Sequence, residues 1–372
     1  MNETLLTWIV FILAFGGMVL IHEFGHFIAA RLCNIEVEEF GIGLPTPGAI
    51  TLFTWRGTRF TWNWLPFGGF VRPKGENDPD VPGGLAAANP GKRFVVLAAG
   101  PLMNLLAAFA IYSIIFARVG APDTSRVLVT STLEGSPAAQ AGIKSGDIFV
   151  EANGKPIHSY DDLRAVVDAN KDLPVVFLMD RGGEQIELTG TPVYFESEKR
   201  VMIGIGLGVP FVRTGSLVQN VSLGAQYTYF SIRNLLSLPA QMIRGNLTPE
   251  QSRVIGLKGI YDVIGQTVSH DVEASANVSN NTKPSNDPTD QPVRTLELIA
   301  GLSISLGIFN LFPFPALDGG RIIFLLPELI FRRRVPARVE NLVHGLGMTV
   351  LLLFMIYVNV MDFVNPINVN IP

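Results

Sequence analysis

Between Leu5 and Ala30 the sequence is apolar enough to fill a membrane, yet "VLIHEFGHFIAAR", residues 19–31, sets His22, Glu23 and His26 inside that run. At ~1.5 Å rise per residue such a stretch spans a hydrocarbon core of ~30 Å. An ionisable side chain at that depth costs roughly 2.5 to 3.5 kcal/mol, so three of them default to a functional reading. The HExxH spacing puts His22 and His26 on one helical face, where both imidazoles reach a single Zn²⁺ and Glu23 reaches its water as general base. The competing reading is a buried histidine pair satisfied by its neighbours.

The rest of the composition agrees with a membrane protein: 48% of residues are apolar and only 16% charged, against about 25% charged in soluble domains. A net charge of −4 gives no basic field for a nucleic-acid partner. The single cysteine, Cys33, excludes an internal disulfide or a cysteine-cluster metal site. Two further spans are predicted at Phe94 to Phe116 and Leu342 to Val360, and a shorter one, Leu296 to Leu311, runs into "FPFPALDGGR". That last segment reads as a span broken partway, which membranes tolerate where backbone faces protein or a wet cavity. The N-terminal run lacks a basic n-region and is expected to be a retained helix. Lysine and arginine are absent before Arg31 and after Arg338; between the first and second spans lie Arg31, Arg56, Arg59, Arg72, Lys74, Lys92 and Arg93, and between the third and fourth Arg321, Arg332, Arg333, Arg334 and Arg338. Positive loops stay cytoplasmic, so both termini and the segment from Val119 to Arg294 are expected outside.

The chain is therefore expected to be a polytopic α-helical membrane protein of about four transmembrane helices, with a membrane-associated β-hairpin and one inserted α+β domain. Residues 1–118 hold the first two spans and, at 49–72, "AITLFTWRGTRFTWNWLPFGGFVR", whose alternation around "RGT" predicts the hairpin. Its aromatic residues suit a membrane interface, and either packing against the helices or pairing with substrate would explain it. Within residues 124–210, "GSPAAQAGIKSGDIFVEANGKPI" (135–157) resembles the signature of a PDZ domain of the bacterial protease type. That resemblance implies a groove for peptide C-termini beside "MIGIG", at Ile203, Gly204 and Ile205; a spacer with a vestigial groove is the alternative. Residues 211–268 are expected to form amphipathic membrane-surface helices, 269–294 a disordered linker, and 295–372 the last two spans.

A catalytic zinc takes three protein ligands plus water. His158 and His270 fall in the outer segment and His344 opens the last span, which leaves Asp318 as the better third ligand, turned inward by the prolines before it and the glycines after it. HEFGH, "PGKRFVVLAAGPLMNLLAA", the PDZ insertion and "NLFPFPALDGG" together resemble the site-2 protease family of intramembrane zinc metalloproteases, in its four-span, PDZ-containing bacterial branch. The resemblance implies one catalytic Zn²⁺ held by His22, His26 and Asp318, Glu23 as base, and Asn310 engaging the substrate backbone. It also implies that Gly68 and Gly69, in "PFGGFVRPKGE", lie at the substrate-contacting end of the hairpin. Where relatives carry Gly-Pro-Val-Gly-Ile this chain reads "IGLKGIYDVIG".

The implied activity is cleavage of single-span membrane proteins, such as anti-sigma factors or signal-peptide remnants, after a first cut outside, in the bacterial cytoplasmic membrane. His22 is nine residues from Arg31, about 13 Å along a helix, which puts the cut nearer the cytosolic side. The rivals are a catalytically silent zinc-binding adaptor acting through its PDZ domain, against which the intact Glu23 speaks, and a metal transporter, which would need more ionisable residues along a path.

Overall fold

A computed structural model of the protein describes residues 2–76, 78–196, 198–212, 215–245, 253–280 and 291–365. Among these, four helices are long and apolar enough to cross a membrane: Glu3–Leu32, Pro90–Val119, Arg294–Leu311 and Arg338–Val364. The chain divides into two compact units, one of Met1–Tyr112, Gly224–Ser269 and Thr295–Ile371, the other of Ser113–Leu223 with His270–Arg294.

Helix α1 (Glu3–Leu32) starts at Asn2, whose side chain accepts from Thr4 N at 3.1 Å, with Glu3 in the positive first turn. Of its ten buried residues, Thr7, Phe11, Ala14, Met18, His22, Gly25 and Ala29 recur every three to four positions, so the histidine lies on the stripe that packs inward. Leu5, Trp8, Leu13, Phe24 and Ile28 are exposed on the outside, as a lipid-facing surface requires.

The hairpin expected at 49–72 is part of a larger sheet. Strands β1 (Val37–Leu44), β2 (Ile50–Trp55), β3 (Thr58–Trp62) and β4 (Leu65–Pro73) lie in the order β2-β3-β1-β4. β2 and β3 do form the hairpin around "RGT", but β1 runs parallel to β3 and antiparallel to β4, separating the two halves of the predicted element. The reason is Glu39 of β1: its nearly buried carboxylate accepts from Thr61 Oγ1 at 2.8 Å, Arg72 Nη1 at 3.0 Å and Arg59 Nη2 at 3.4 Å, drawing β3 and β4 to either side. β2 is exposed along its whole length.

Helix α2 (Pro90–Val119) begins at Asn89, whose Oδ1 accepts from Lys92 N at 2.8 Å, and contains Pro101. It meets α1 where glycines permit: a Cβ on Gly25 would lie 2.4 Å from Ala99 O.

The second unit holds the short pair β5 (Ala121–Pro122), then β6 (Val127–Thr132), α3 (Pro137–Ala141), β7 (Ile148–Ala152), β8 (Lys155–Pro156), α4 (Tyr160–Ala169), β9 (Val175–Arg181), β10 (Glu184–Gly190), the hairpin β11 (Val193–Phe195) and β12 (Arg200–Met202), β13 (Ile205–Gly208) and β14 (Phe211–Val212), which pairs with β5. Its sheet runs β10-β9-β7-β6-β13, with β8 on β7, around a core that includes Phe149, Phe177, Met179 and Ile203. Asp147, 1% exposed, takes two 2.7 Å bonds from Arg181, and this hydrogen-bonded carboxylate raises the guanidinium's pKa. An α+β domain was expected at 124–210; the compact unit runs over Ser113–Leu223 with His270–Arg294.

Helix α5 (Leu217–Ile243) carries Pro239 and exposes Leu217, Val218, Tyr229 and Phe230. α6 (Leu257–Asn280) departs from expectation at both ends. Its first half does not lie loose on a surface: Ile264 and Val268 pack with Phe11 of α1 and Leu298. Its second half is helical through residues 270–280, where a disordered linker was expected; Asp271 Oδ1 there accepts from Arg294 N at 3.0 Å. The rest of that expected linker, 281–290, lies outside the described residues. "IGLKGIYDVIG" keeps its glycines for a physical reason: Gly256 N and Gly259 N donate to the buried Asp362 carboxylate at 2.8 and 3.0 Å, and Arg253 Nη2 adds 3.0 Å. A side chain on Gly259 would come within 2.8 Å of that carboxylate.

The remaining helices are α7 (Arg294–Leu311), α8 (Asp318–Phe331) and α9 (Ala337–Val364). The break expected in "FPFPALDGGR" is the loop between α7 and α8.

The glycine contact gives a paired test. Gly25→Ala is expected to destabilise the detergent-solubilised chain by about 1 to 3 kcal/mol through overpacking. Gly17→Ala, with nothing within 4 Å of the added carbon, is expected to be neutral or slightly stabilising. Thermal unfolding of both variants beside wild type measures the difference.

Candidate metal centre

His22 and His26 from α1 meet Asp318 at the start of α8. Their Nε2 atoms are 3.1 Å apart, and Asp318 Oδ2 lies 3.1 Å from His22 Nε2 and 3.4 Å from His26 Nε2. Among the described residues, these three form the group of side chains able to hold a metal ion. Ligands at ~2.0–2.1 Å from a tetrahedral zinc sit about 3.3 Å from one another. Asp318 Oδ2 is buried yet takes part in no well-aligned hydrogen bond. Three lone-pair atoms converging at this spacing fit a cation between them, and the two-nitrogen, one-oxygen donor set suits zinc.

Local sequence builds each part. α2 supplies the second-layer contacts: His26 Nδ1 donates to Val96 O at 2.8 Å, and the Asn104 side chain lies 3.3 Å from His22 Nδ1. Gly100 makes room, since a Cβ there would fall 2.3 Å from His26 Nε2. Beyond Leu311 the chain turns, with Ala316 at φ +82° and its N–H donating to His344 Nδ1 at 2.9 Å. Gly319 and Gly320 then let α8 start directly against the turn, where added side chains would strike Phe312 O at 2.2 Å and Phe314 O at 2.3 Å. Arg93 Nη1 donates to Glu328 Oε2 at 2.8 Å, tying α8 to α2.

Glu23 borders the same cavity, about 290 Å³ in volume, and its Oε2 accepts from Val71 N of β4 at 3.0 Å. Asn310 also lines it, with Nδ2 donating to Leu306 O at 3.0 Å. Gly68 and Gly69 do not line it; they let β4 lie against α1, where a Cβ on Gly69 would be 2.7 Å from Leu20 Cδ2, and their neighbours Phe70 and Val71 face the cavity instead. In the second unit, Ile203, Gly204 and Ile205 border a separate groove of about 240 Å³ with Tyr160, Leu163 and Val167 of α4.

Sequence reasoning missed Asn104, Glu76, Arg321 and the role of His344. Arg321 was legible in principle, three residues after Asp318 on one helical face; it pairs with Glu76 at the edge of the cavity. Asn104 carried no signal apart from being polar in an apolar helix.

The profile of Peptidase family M50 matches residues 10–354. The chain belongs to this family, the site-2 proteases. As an M50 member it is a zinc metalloprotease, a multi-pass membrane protein acting on protein substrates. A Clostridium perfringens protein provisionally named zinc metalloprotease CPE1693 is 33% identical over 358 residues, 96% of this chain and 98% of that one. Metalloprotease MmpA of Caulobacter vibrioides is 29% identical over 376 residues, 91% of each chain. Among solved structures, the PDZ domain of an SdrC-like protein from Listeria monocytogenes covers 22% of this chain and 85% of its own at 22% identity, with a TM-score of 0.21.

Gly100→Ala tests the geometry of this candidate centre. The added carbon displaces the His26 ring, so zinc retained after dialysis against a mild chelator, measured by atomic emission, should fall about tenfold or more. Circular dichroism should still show a folded helical protein.

Proposed function

We propose that this protein is an intramembrane zinc endopeptidase in which His22, His26 and Asp318 hold one ion, Glu23 is the general base and Asn310 binds the substrate backbone. The observation that carries the proposal is the convergence of the three donor atoms within 3.4 Å beside Glu23, in a cavity lined by the edge of β4.

When bound, zinc polarises the scissile carbonyl and lowers the pKa of water toward ~7. Glu23 takes the proton of the attacking water and delivers it to the departing amine. Val71 N–H keeps the Glu23 carboxylate turned into the cavity. The carbonyls of a transmembrane helix are hydrogen-bonded within the helix, so a substrate segment must unwind before one of them reaches the centre. β1 covers one edge of β4; the other edge faces the cavity and offers the unwound segment a strand to pair with. Asn310 bonds the backbone groups that unwinding frees.

The substrates in this reading are single-span proteins already shortened outside, and the second unit, a PDZ domain on the extracytoplasmic side with both termini, filters them by the size of their outer part. The groove at Ile203–Ile205 accepts peptide C-termini. The basic residues between the spans put the cut near the cytosolic face of the bacterial inner membrane.

Purified protein in liposomes with a model single-span substrate tests the chemistry. Glu23→Gln is expected to bind as much zinc as wild type while cleavage falls by about 10²- to 10⁴-fold. Equal cleavage by the two would end the proposal. Removing residues 127–208 is expected to permit cleavage of a substrate with a long, intact outer domain. If that substrate stays whole while a shortened one is still cut, the filter is refuted.

A further inference from the structure

Resting on the zinc site proposed above, we propose that Asn104 is a positioning residue for it: its side-chain carbonyl accepts the Nδ1–H of His22 and so holds the Nε2 lone pair toward the metal.

The argument begins with His26. Its Nδ1 lies 2.8 Å from Val96 O, and a carbonyl only accepts, so Nδ1 carries the hydrogen and Nε2 is left as a bare lone pair. That is the tautomer a metal ligand needs. His22 presents the same nitrogen, Nε2, to the site, and therefore also needs its hydrogen on Nδ1. A buried N–H of this kind requires an acceptor. The group facing His22 Nδ1 is the carboxamide of Asn104, one α-helical turn beyond Gly100, whose Nδ2 end lies 3.3 Å away.

Asn104 is completely buried, and its Oδ1 has no hydrogen-bond partner. Its backbone carbonyl is already used, accepting from Ser303 Oγ at 2.9 Å. The two ends of a carboxamide have nearly the same shape, so hydrogen bonding decides which one meets a neighbour. With the Nδ2 end toward His22, the imidazole must put its hydrogen on Nε2 and can donate it to Asp318. With the Oδ1 end toward His22, that orphaned oxygen gains a donor and Nε2 is freed for zinc. Packing alone would not call for this residue, since leucine fills similar space without a buried amide. α2 thus orients both histidines, one through a main-chain carbonyl and the other through a side-chain carbonyl a little over two turns further along.

The test is zinc affinity of the full-length protein by competition with a fluorescent chelator, for wild type, Asn104→Leu and Asn104→Asp. Leucine keeps the volume and removes the acceptor; aspartate keeps an acceptor and removes the donor. Asn104→Leu is expected to bind zinc about 10- to 100-fold more weakly, with the zinc-free protein melting as wild type does. Asn104→Asp is expected to bind at least as tightly as wild type. Affinity in Asn104→Leu within threefold of wild type overturns the proposal, and so does an equal loss in Asn104→Asp. If the leucine variant does not fold, aspartate decides alone, because a purely donating role would fail with it. No zinc binding by wild type would instead refute the metal centre itself.

Discussion

The close approach of α1 and α2 is the contact on which the rest depends. It exists because Gly25 and Gly100 carry no side chains where the helices meet; each added carbon would lie within 2.4 Å of the partner helix. Lipid supplies no hydrophobic drive to bring helices together, so small residues that let backbones touch carry much of the association. Here the same contact brings a main-chain carbonyl and a carboxamide of α2 to the two imidazoles of α1. A looser pair would leave two polar rings in an apolar environment with nothing to fix their orientation.

The other side of the centre relies on irregular backbone. The turn between α7 and α8 has a left-handed residue at Ala316 and two glycines against its own carbonyls, and His344 of α9 answers the Ala316 N–H. Non-helical chain at membrane depth persists where protein surrounds it and satisfies its polar groups. The last span therefore contributes to the candidate centre by holding the loop that delivers Asp318.

Much of the centre could be read from sequence because its parts are local patterns: two histidines four apart, and an aspartate between prolines and glycines. The spans were legible from apolar length. β1 was not, because Val37–Leu44 contains two acids and two glycines and gives no alternation; its central residue, Glu39, has a reason to be buried only once Arg59, Arg72 and Thr61 surround it. Residues 270–280 looked like linker because they are polar, and helix there depends on continuation from an apolar first half and on the Asp271 contact with Arg294 N. Asn104 and the Asp362 cap of α6 share that feature: one polar residue whose meaning is its partner a hundred or so positions away, or 82 in the case of His22 and Asn104.

The donors on α1 and the donor on α8 come from opposite ends of the chain, Asp318 following His26 by 318 − 26 = 292 residues. A chain still being synthesised carries its two histidines and Glu23 well before it has Asp318, the third donor of the proposed site. Hydrolytic capacity consequently arrives late, after the sheet and the outer unit have been translated.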